Sequence, residues 1–196
     1  MTKIDRRLAS AVQETFSVRF VAALLGVIAM VVLTALGASI RIPLPFTPVP
    51  ITLQTFFVLL SGGLLGRRLG PLSQGGYIFL GSLGVPFFAG GGGHLHILGP
   101  TGGYLIGFVI ASWAVGRLMD SGEELSFWKV LLAMACGSAV IYLVGSFHLA
   151  LLAGVTAKQA LFMGVLPFVP GDVAKMLAAS LICWKFSARL DRISPR

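Results

Sequence analysis

Hydropathy along the chain falls into long apolar runs separated by short clusters of charge. The first uncharged run, Phe20 to Ile40, has the length of one bilayer-crossing helix, because a hydrocarbon core of about 30 Å takes roughly 20 residues. The next, Ile42 to Gly66, opens with a stretch to Pro50 that contains Pro43, Pro45, Pro48 and Pro50. Four missing amide donors rule out regular helix there, so the second helix is predicted from about Pro50. No Lys, Arg, Asp or Glu occurs from Leu69 to Gly116, which accommodates two helices and the glycine-rich connection Gly90 to Gly93. A fifth helix lies in Val130 to Ala157. A sixth lies in Gly171 to Arg189 if Asp172, Lys175 and Lys185 are accepted inside it. The pattern predicts an all-α integral membrane protein, one domain over 1–196, with six helices near 20–40, 50–66, 70–85, 101–119, 128–152 and 171–189.

Composition removes the soluble alternative. Hydrophobic residues make up 56% and charged residues 11% of the 196, against roughly a quarter charged in a soluble domain. The basic residues then orient the bundle, because Lys and Arg accumulate on cytoplasmic flanks. With six helices, twelve of them (Lys3, Arg6, Arg7, Arg19, Arg67, Arg68, Arg117, Lys129, Lys185, Arg189, Arg192 and Arg196) fall on the side of the termini. Arg41 and Lys158 fall on the other, and Lys175 lies within a helix. Both termini are therefore expected in the cytoplasm. A net charge of +8 is explained by the lipid bilayer and its anionic headgroups. Nucleic acid is excluded as a partner, since no basic patch is interleaved with aromatics. The first residues do not read as a cleaved signal peptide, because Asp5 and Glu14 interrupt them and the apolar run after Arg19 is too long.

Chemistry concentrates at three helix entrances. The second, fourth and sixth helices each follow a proline-containing turn: Pro48-Val49-Pro50, Gly99-Pro100-Thr101-Gly102-Gly103, and Pro167-Phe168-Val169-Pro170-Gly171. On this topology all three N-termini, with free amides and positive dipole ends, point to the outer side. Asp172 and Lys175 stand three apart on one face of the last helix. Charges within a membrane usually face a cavity or a partner, so the pair reads as a ligand site, against the plainer reading of an N-cap beside a snorkelling lysine. Gln54 adds an amide at similar depth, to bind ligand or a neighbouring helix. Tyr104 offers a ring and a hydroxyl, or is a belt aromatic. His94, His96 and His148 do not form a recognisable metal motif, and no metal site is expected. The run Gly90 to Gly93 lacks the Lys-Ser or Lys-Thr of a nucleotide-binding loop.

With these motifs the chain resembles the BioY family of biotin-specific S components of energy-coupling-factor transporters. The matching stretches are Pro48-Val-Pro-Ile-Thr-Leu-Gln-Thr55, Gly81 to Gly93 with its Gly-Val-Pro-Phe-Phe-Ala-Gly core, Gly99-Pro-Thr-Gly-Gly-Tyr-Leu-Ile-Gly-Phe108, and Pro170-Gly-Asp-Val-Ala-Lys175. They span roughly residues 20 to 190 in the family's order. The resemblance implies a six-helix subunit of the bacterial cytoplasmic membrane that binds biotin on its outer side. It implies as partners a membrane-embedded coupling protein and two ATPases, and neither a cofactor nor enzymatic activity. Asp172 and Lys175 would be the ligand pair, with Gln54, Thr101, Gly102, Gly103 and Tyr104 lining the pocket. His94 and His96 stand where the family pattern has small or apolar residues.

Biotin's chemistry fits those side chains. Its urea carries two donors and one acceptor beside an apolar bicycle and a carboxylate tail. Asp172 would accept from the urea N–H groups, and Lys175 would reach either the urea oxygen or the valerate. Ala22, Gly26 and Ala29 form a small-residue stripe on the first helix, for the coupling protein or for packing within the chain. Two competing functions are an S component for another ring-containing vitamin, such as thiamine or riboflavin, and an intramembrane enzyme using Asp172 and His148. The second lacks a recognisable nucleophile or metal motif.

Overall fold

A computed structural model describes residues 3–120 and 125–193, with side chains described in 18–120 and 125–186. Lys3, Arg6, Arg7, Arg189, Arg192 and Arg196 lie outside the described side chains. The elements run α1 (Lys3–Ser39), β1 (Arg41–Leu44), β2 (Thr47–Thr52), α2 (Gln54–Ser82), α3 (Leu95–Leu98), α4 (Gly102–Met119), α5 (Phe127–Ala153), α6 (Ala157–Gly164) and α7 (Val169–Ile193). Among the described residues three segments, Val18–Ser39, Gly102–Met119 and Phe127–Ala153, are long and apolar enough to cross a membrane. The pair α6 and α7, bent by 59° at the break between them, makes a fourth if counted as one span. Large apolar side chains such as Leu24, Ile28, Leu132, Leu143 and Phe147 are exposed, as befits surfaces that face lipid.

The proline-rich stretch forms an antiparallel hairpin, with Arg41 opposite Thr52 and Ile42 opposite Ile51, and an irregularity between Ile42 and Leu44. In a two-stranded ribbon each strand has an unpaired edge, so a missing proline amide is tolerated. Residues 50–52 consequently belong to β2, and helix begins at Gln54 instead of Pro50.

The element α2 is two helices in one. Gly66, at φ 75° and ψ −175°, breaks it, a conformation essentially confined to glycine. The chain then folds back. Gly70 crosses the first arm so closely that a Cβ would lie 2.9 Å from the Ser61 carbonyl oxygen and 3.0 Å from Gly62 Cα. Hydrogen bonds between Ser61 and Gln74 and between Gln54 and Tyr77 join residues nearly equidistant from Gly66, the signature of an antiparallel hairpin.

Buried polar groups lock this hairpin to α1. Thr34, Ser61 and Ser73 each donate a hydroxyl to a carbonyl of their own helix, at 2.7 Å. These oxygens surround Gln74 Nε2 at 3.3, 3.1 and 3.3 Å and share its two N–H groups. All four side chains are fully buried. The Thr34 hydroxyl also lies 3.5 Å from Gln74 Oε1, so its proton serves either that oxygen or the Met30 carbonyl; a buried polar group with no partner costs on the order of 2–7 kcal/mol.

The core divides along the bundle. One cluster is aromatic and includes Tyr77, Phe88, Tyr104, Phe108 and Phe168. A second is aliphatic and sulfur-rich, with Met30, Met119, Met134 and Cys183. The aromatic cluster surrounds the end at which α2, α4 and α7 begin.

Candidate functional site

Those three helix starts converge on one cavity. Its wall takes Gln54 and Thr55 from the start of α2, with Thr52 at the end of β2 just before it, Thr101 and Tyr104 from the start of α4, and Phe168, Asp172 and Lys175 from that of α7. Phe108, Ile141 and Tyr142 supply further wall, Val49 and Pro50 come from β2, and Phe88 and Ala89 come from the segment 83–93, here termed the roof. Asp172 and Lys175 are the charged residues of this lining. The cavity encloses about 60 Å³, well short of the roughly 300 Å³ at which pockets for drug-sized ligands begin.

Asp172 lies in the first turn of α7, where the helix dipole favours a carboxylate. Its Oδ1 accepts from Lys175 Nζ at 2.6 Å and from the Thr55 hydroxyl at 3.0 Å. Its Oδ2 accepts from the Tyr142 hydroxyl at 2.6 Å. With two oxygens and about four lone-pair sites, the carboxylate retains acceptor capacity on Oδ2 for a ligand donor. Lys175 Nζ also donates to the Thr52 carbonyl at 2.6 Å and to Thr55 Oγ1 at 3.4 Å. That occupies all three ammonium protons, so a ligand acceptor reaches Lys175 most easily by replacing Thr55, the longest of the three. The side chains of Lys175 and Asp172 are only 14% and 10% exposed. They form an enclosed ion pair, and the reading of a cap with a lysine snorkelling outward fails.

Gln54 is buried on the wall. Its Nε2 donates to Tyr77 Oη at 2.6 Å, and its Oε1 accepts from the Thr52 hydroxyl at 3.1 Å. Tyr104 presents its ring to the cavity, but its hydroxyl donates to the Gly164 carbonyl at 2.7 Å. The group expected to be on offer to a ligand or to the interface thus ties α4 to α6. Thr101 reaches the wall; Gly102 and Gly103 do not. They are packing glycines, Gly102 against the Ile97 backbone and Gly103 against His148. His148 contacts the Gly99 carbonyl at 3.0 Å, away from Asp172, so the structure does not assemble an acid–base pair from the two. His96 packs on Phe88, ring centroids 5.7 Å apart, and no metal cluster forms among the described residues. Gly26 faces Leu65 of α2, whose Cδ2 would lie 2.9 Å from an added Cβ, whereas Ala22 and Ala29 are exposed.

Sequence reasoning passed over Tyr142 and Tyr77 as functional residues, and set Thr55 beside Gln54 without a role of its own. Tyr142 looks like one more aromatic in an apolar helix, and its partner is 30 positions away. Thr55 bonds across 117 positions. No local spacing signals either contact.

The chain is thus a helical membrane protein with an enclosed ion pair inside an aromatic cavity, at the meeting point of three helix N-termini. Residues 8–192 match the BioY family, and the chain belongs to it. It is 46% identical over 153 residues to a protein of Pyrococcus horikoshii described as a probable biotin transporter BioY, covering 78% of this chain and 88% of that one. It is 40% identical over 151 residues to the biotin transporter BioY of Thermotoga maritima, covering 76% and 86%. Its fold matches, at a TM-score of 0.81 and 27% identity, a crystal structure of the S component for biotin from an ECF-type ABC transporter, covering 87% of this chain and 93% of that one.

Proposed function

We propose that this chain is the biotin-capturing S component of an energy-coupling-factor importer, a binding subunit and not an enzyme. The observation that carries the reading is the Asp172–Lys175 pair, walled by aromatics and tied to α2 and α5. A urea N–H meets the remaining acceptor capacity of Asp172 Oδ2 in a charge-assisted bond. The bicycle packs on Tyr104, Phe108 and Phe168. Gln54 and Thr101 complete the polar wall. Family membership and the relatives' described role in biotin transport support this assignment over another vitamin.

The proposed topology has six spans: α1, the two arms of α2, α4, α5 and α7. Both termini lie in the cytoplasm of a bacterial cell, on the basic side. The partners are a membrane-embedded coupling protein and two ATPases, met through the face of α1 that carries Ala22 and Ala29. Gly26 is spent on packing against α2, so the contact stripe is narrower than the sequence suggests. Equilibrium binding of biotin to the purified chain, with thiamine and riboflavin as controls, tests the assignment. Saturable binding of biotin alone is the expected result, and preference for either control overturns it.

A further inference from the structure

The ion pair is linked to the roof by hydrogen bonds that pass through the backbone and side chain of Thr52, then Gln54 and Tyr77. Lys175 Nζ donates to the Thr52 carbonyl, and the hydroxyl of the same Thr52 donates to Gln54 Oε1. Gln54 Nε2 donates to Tyr77 Oη, and the Tyr77 hydroxyl donates to the Phe87 carbonyl at 3.1 Å. From Thr52 onward every donor points the same way, the arrangement in which successive bonds polarise one another. Tyr77 is fully buried. Its ring stacks on Phe87 at 6.3 Å between centroids and meets Phe88 edge-on at 5.5 Å.

The roof is the wall with the least structure of its own. It contains Gly84, Gly90, Gly91 and Gly93 at positive φ. Phe88 and Gly91 exchange backbone bonds, and Gly93 N donates to the Gly81 carbonyl. A cavity of about 60 Å³ admits a bicyclic ligand only when a wall yields, and a segment lacking regular secondary structure yields before three packed helix ends do.

We propose that Tyr77 is a positioning residue, outside the cavity lining, that holds the roof over bound ligand and couples its placement, through Gln54 and Thr52, to the Asp172–Lys175 pair. Ligand engagement of the pair and closure of the roof then stabilise each other through Thr52, the residue that both sets of bonds hold. The proposal rests on the biotin reading only for its ligand probe.

The test uses the full-length purified chain carrying Ala89→Cys, with Cys136→Ser to remove the exposed native thiol. Maleimide reaction at position 89 reports roof opening without ligand, and biotin dissociation, measured on the chain that keeps Ala89, reports it with ligand. Tyr77→Phe keeps the ring and its stacking while removing the hydroxyl. Labelling should quicken at least about threefold and dissociation about tenfold, the equivalent of roughly 1.4 kcal/mol. Gln54→Met should act in the same direction, and the double variant should exceed the larger single effect by no more than about twofold, as coupled groups do. Packing alone would lower the melting temperature without changing labelling. A folded Tyr77→Phe protein with labelling and dissociation both within about 1.5-fold of the parent, a shift under roughly 0.3 kcal/mol, overturns the proposal. If that variant does not fold, unchanged labelling in Gln54→Met overturns it. Should the unsubstituted chain, with Ala89 intact, bind no biotin, the functional assignment fails, while the labelling arm still decides the role of Tyr77.

Discussion

Replacing Asp172 with asparagine isolates the charge at the centre of the site. The carboxylate accepts bonds from Lys175, Tyr142 and Thr55 at 2.6, 2.6 and 3.0 Å, and the isosteric amide keeps only one accepting oxygen. Hydrogen bonds to charged groups contribute about 1.5–3 kcal/mol against about 1 for neutral ones, so neutralising three of them removes roughly 3 kcal/mol. That agrees with the approximately 3–5 kcal/mol lost when one member of a buried pair is removed. The pair is enclosed enough, at 14% and 10% side-chain exposure, for the buried figure to apply with little discount for solvent screening. Because the ligand meets the same carboxylate, biotin affinity should fall at least about a hundredfold, or 2.7 kcal/mol. Lys175→Met should lose a similar amount, and the double variant less than the sum. Calorimetric titration with biotin, beside thermal melting to establish that each variant folds, gives both quantities. Binding within about threefold of the parent, under roughly 1 kcal/mol, in either folded single variant would mean that the pair only fastens α7 to its neighbours.

Four further outcomes are expected. Tyr104→Phe keeps the ring on the cavity wall and breaks the bond to Gly164, so stability should fall by about 0.5–1.5 kcal/mol while biotin affinity changes little; thermal melting and titration separate the two. Gly66→Ala meets no steric neighbour, so its cost is the backbone strain of about 1–3 kcal/mol, read as a lower melting temperature. Ala22→Leu, on the exposed face of α1, should spare biotin binding and reduce co-purification with the coupling protein; undiminished recovery counts against that face. A reporter that folds only in the cytoplasm, fused after Arg196, should be active, and activity of a periplasmic reporter there would reverse the proposed orientation.

The ion pair was legible because both partners sit one turn apart on one helix. The convergence of three helix starts followed from proline punctuation and the charge asymmetry. What stayed hidden depends on contacts between distant segments. Whether the Tyr104 hydroxyl turns to a ligand or to Gly164 is decided 60 positions away, and the roles of Thr55, Tyr77 and Tyr142 likewise arise only when helices meet. Two local signals were present but unread. Thr156-Ala-Lys-Gln159 is a capping-box sequence, and it starts α6. The prolines from 43 to 50 marked a break in helix correctly, but the alternative they left open was an edge-tolerant hairpin instead of a plain turn.

The hairpin of α2 bears on how the chain enters a membrane. Its arms, 54–65 and 67–82, rise about 18 and 24 Å at 1.5 Å per residue, short of a hydrocarbon core of about 30 Å. The second arm also carries Gln74, whose amide, among the described residues, bonds Thr34 of α1 and Ser61 and Ser73 of the hairpin itself. Neither arm is a self-sufficient insertion unit. The expected outcome is that α1 and both arms enter the bilayer together, since the Gln74 amide meets its partners only when all three are side by side. The tight turn at Gly66 lets two undersized segments partition as one.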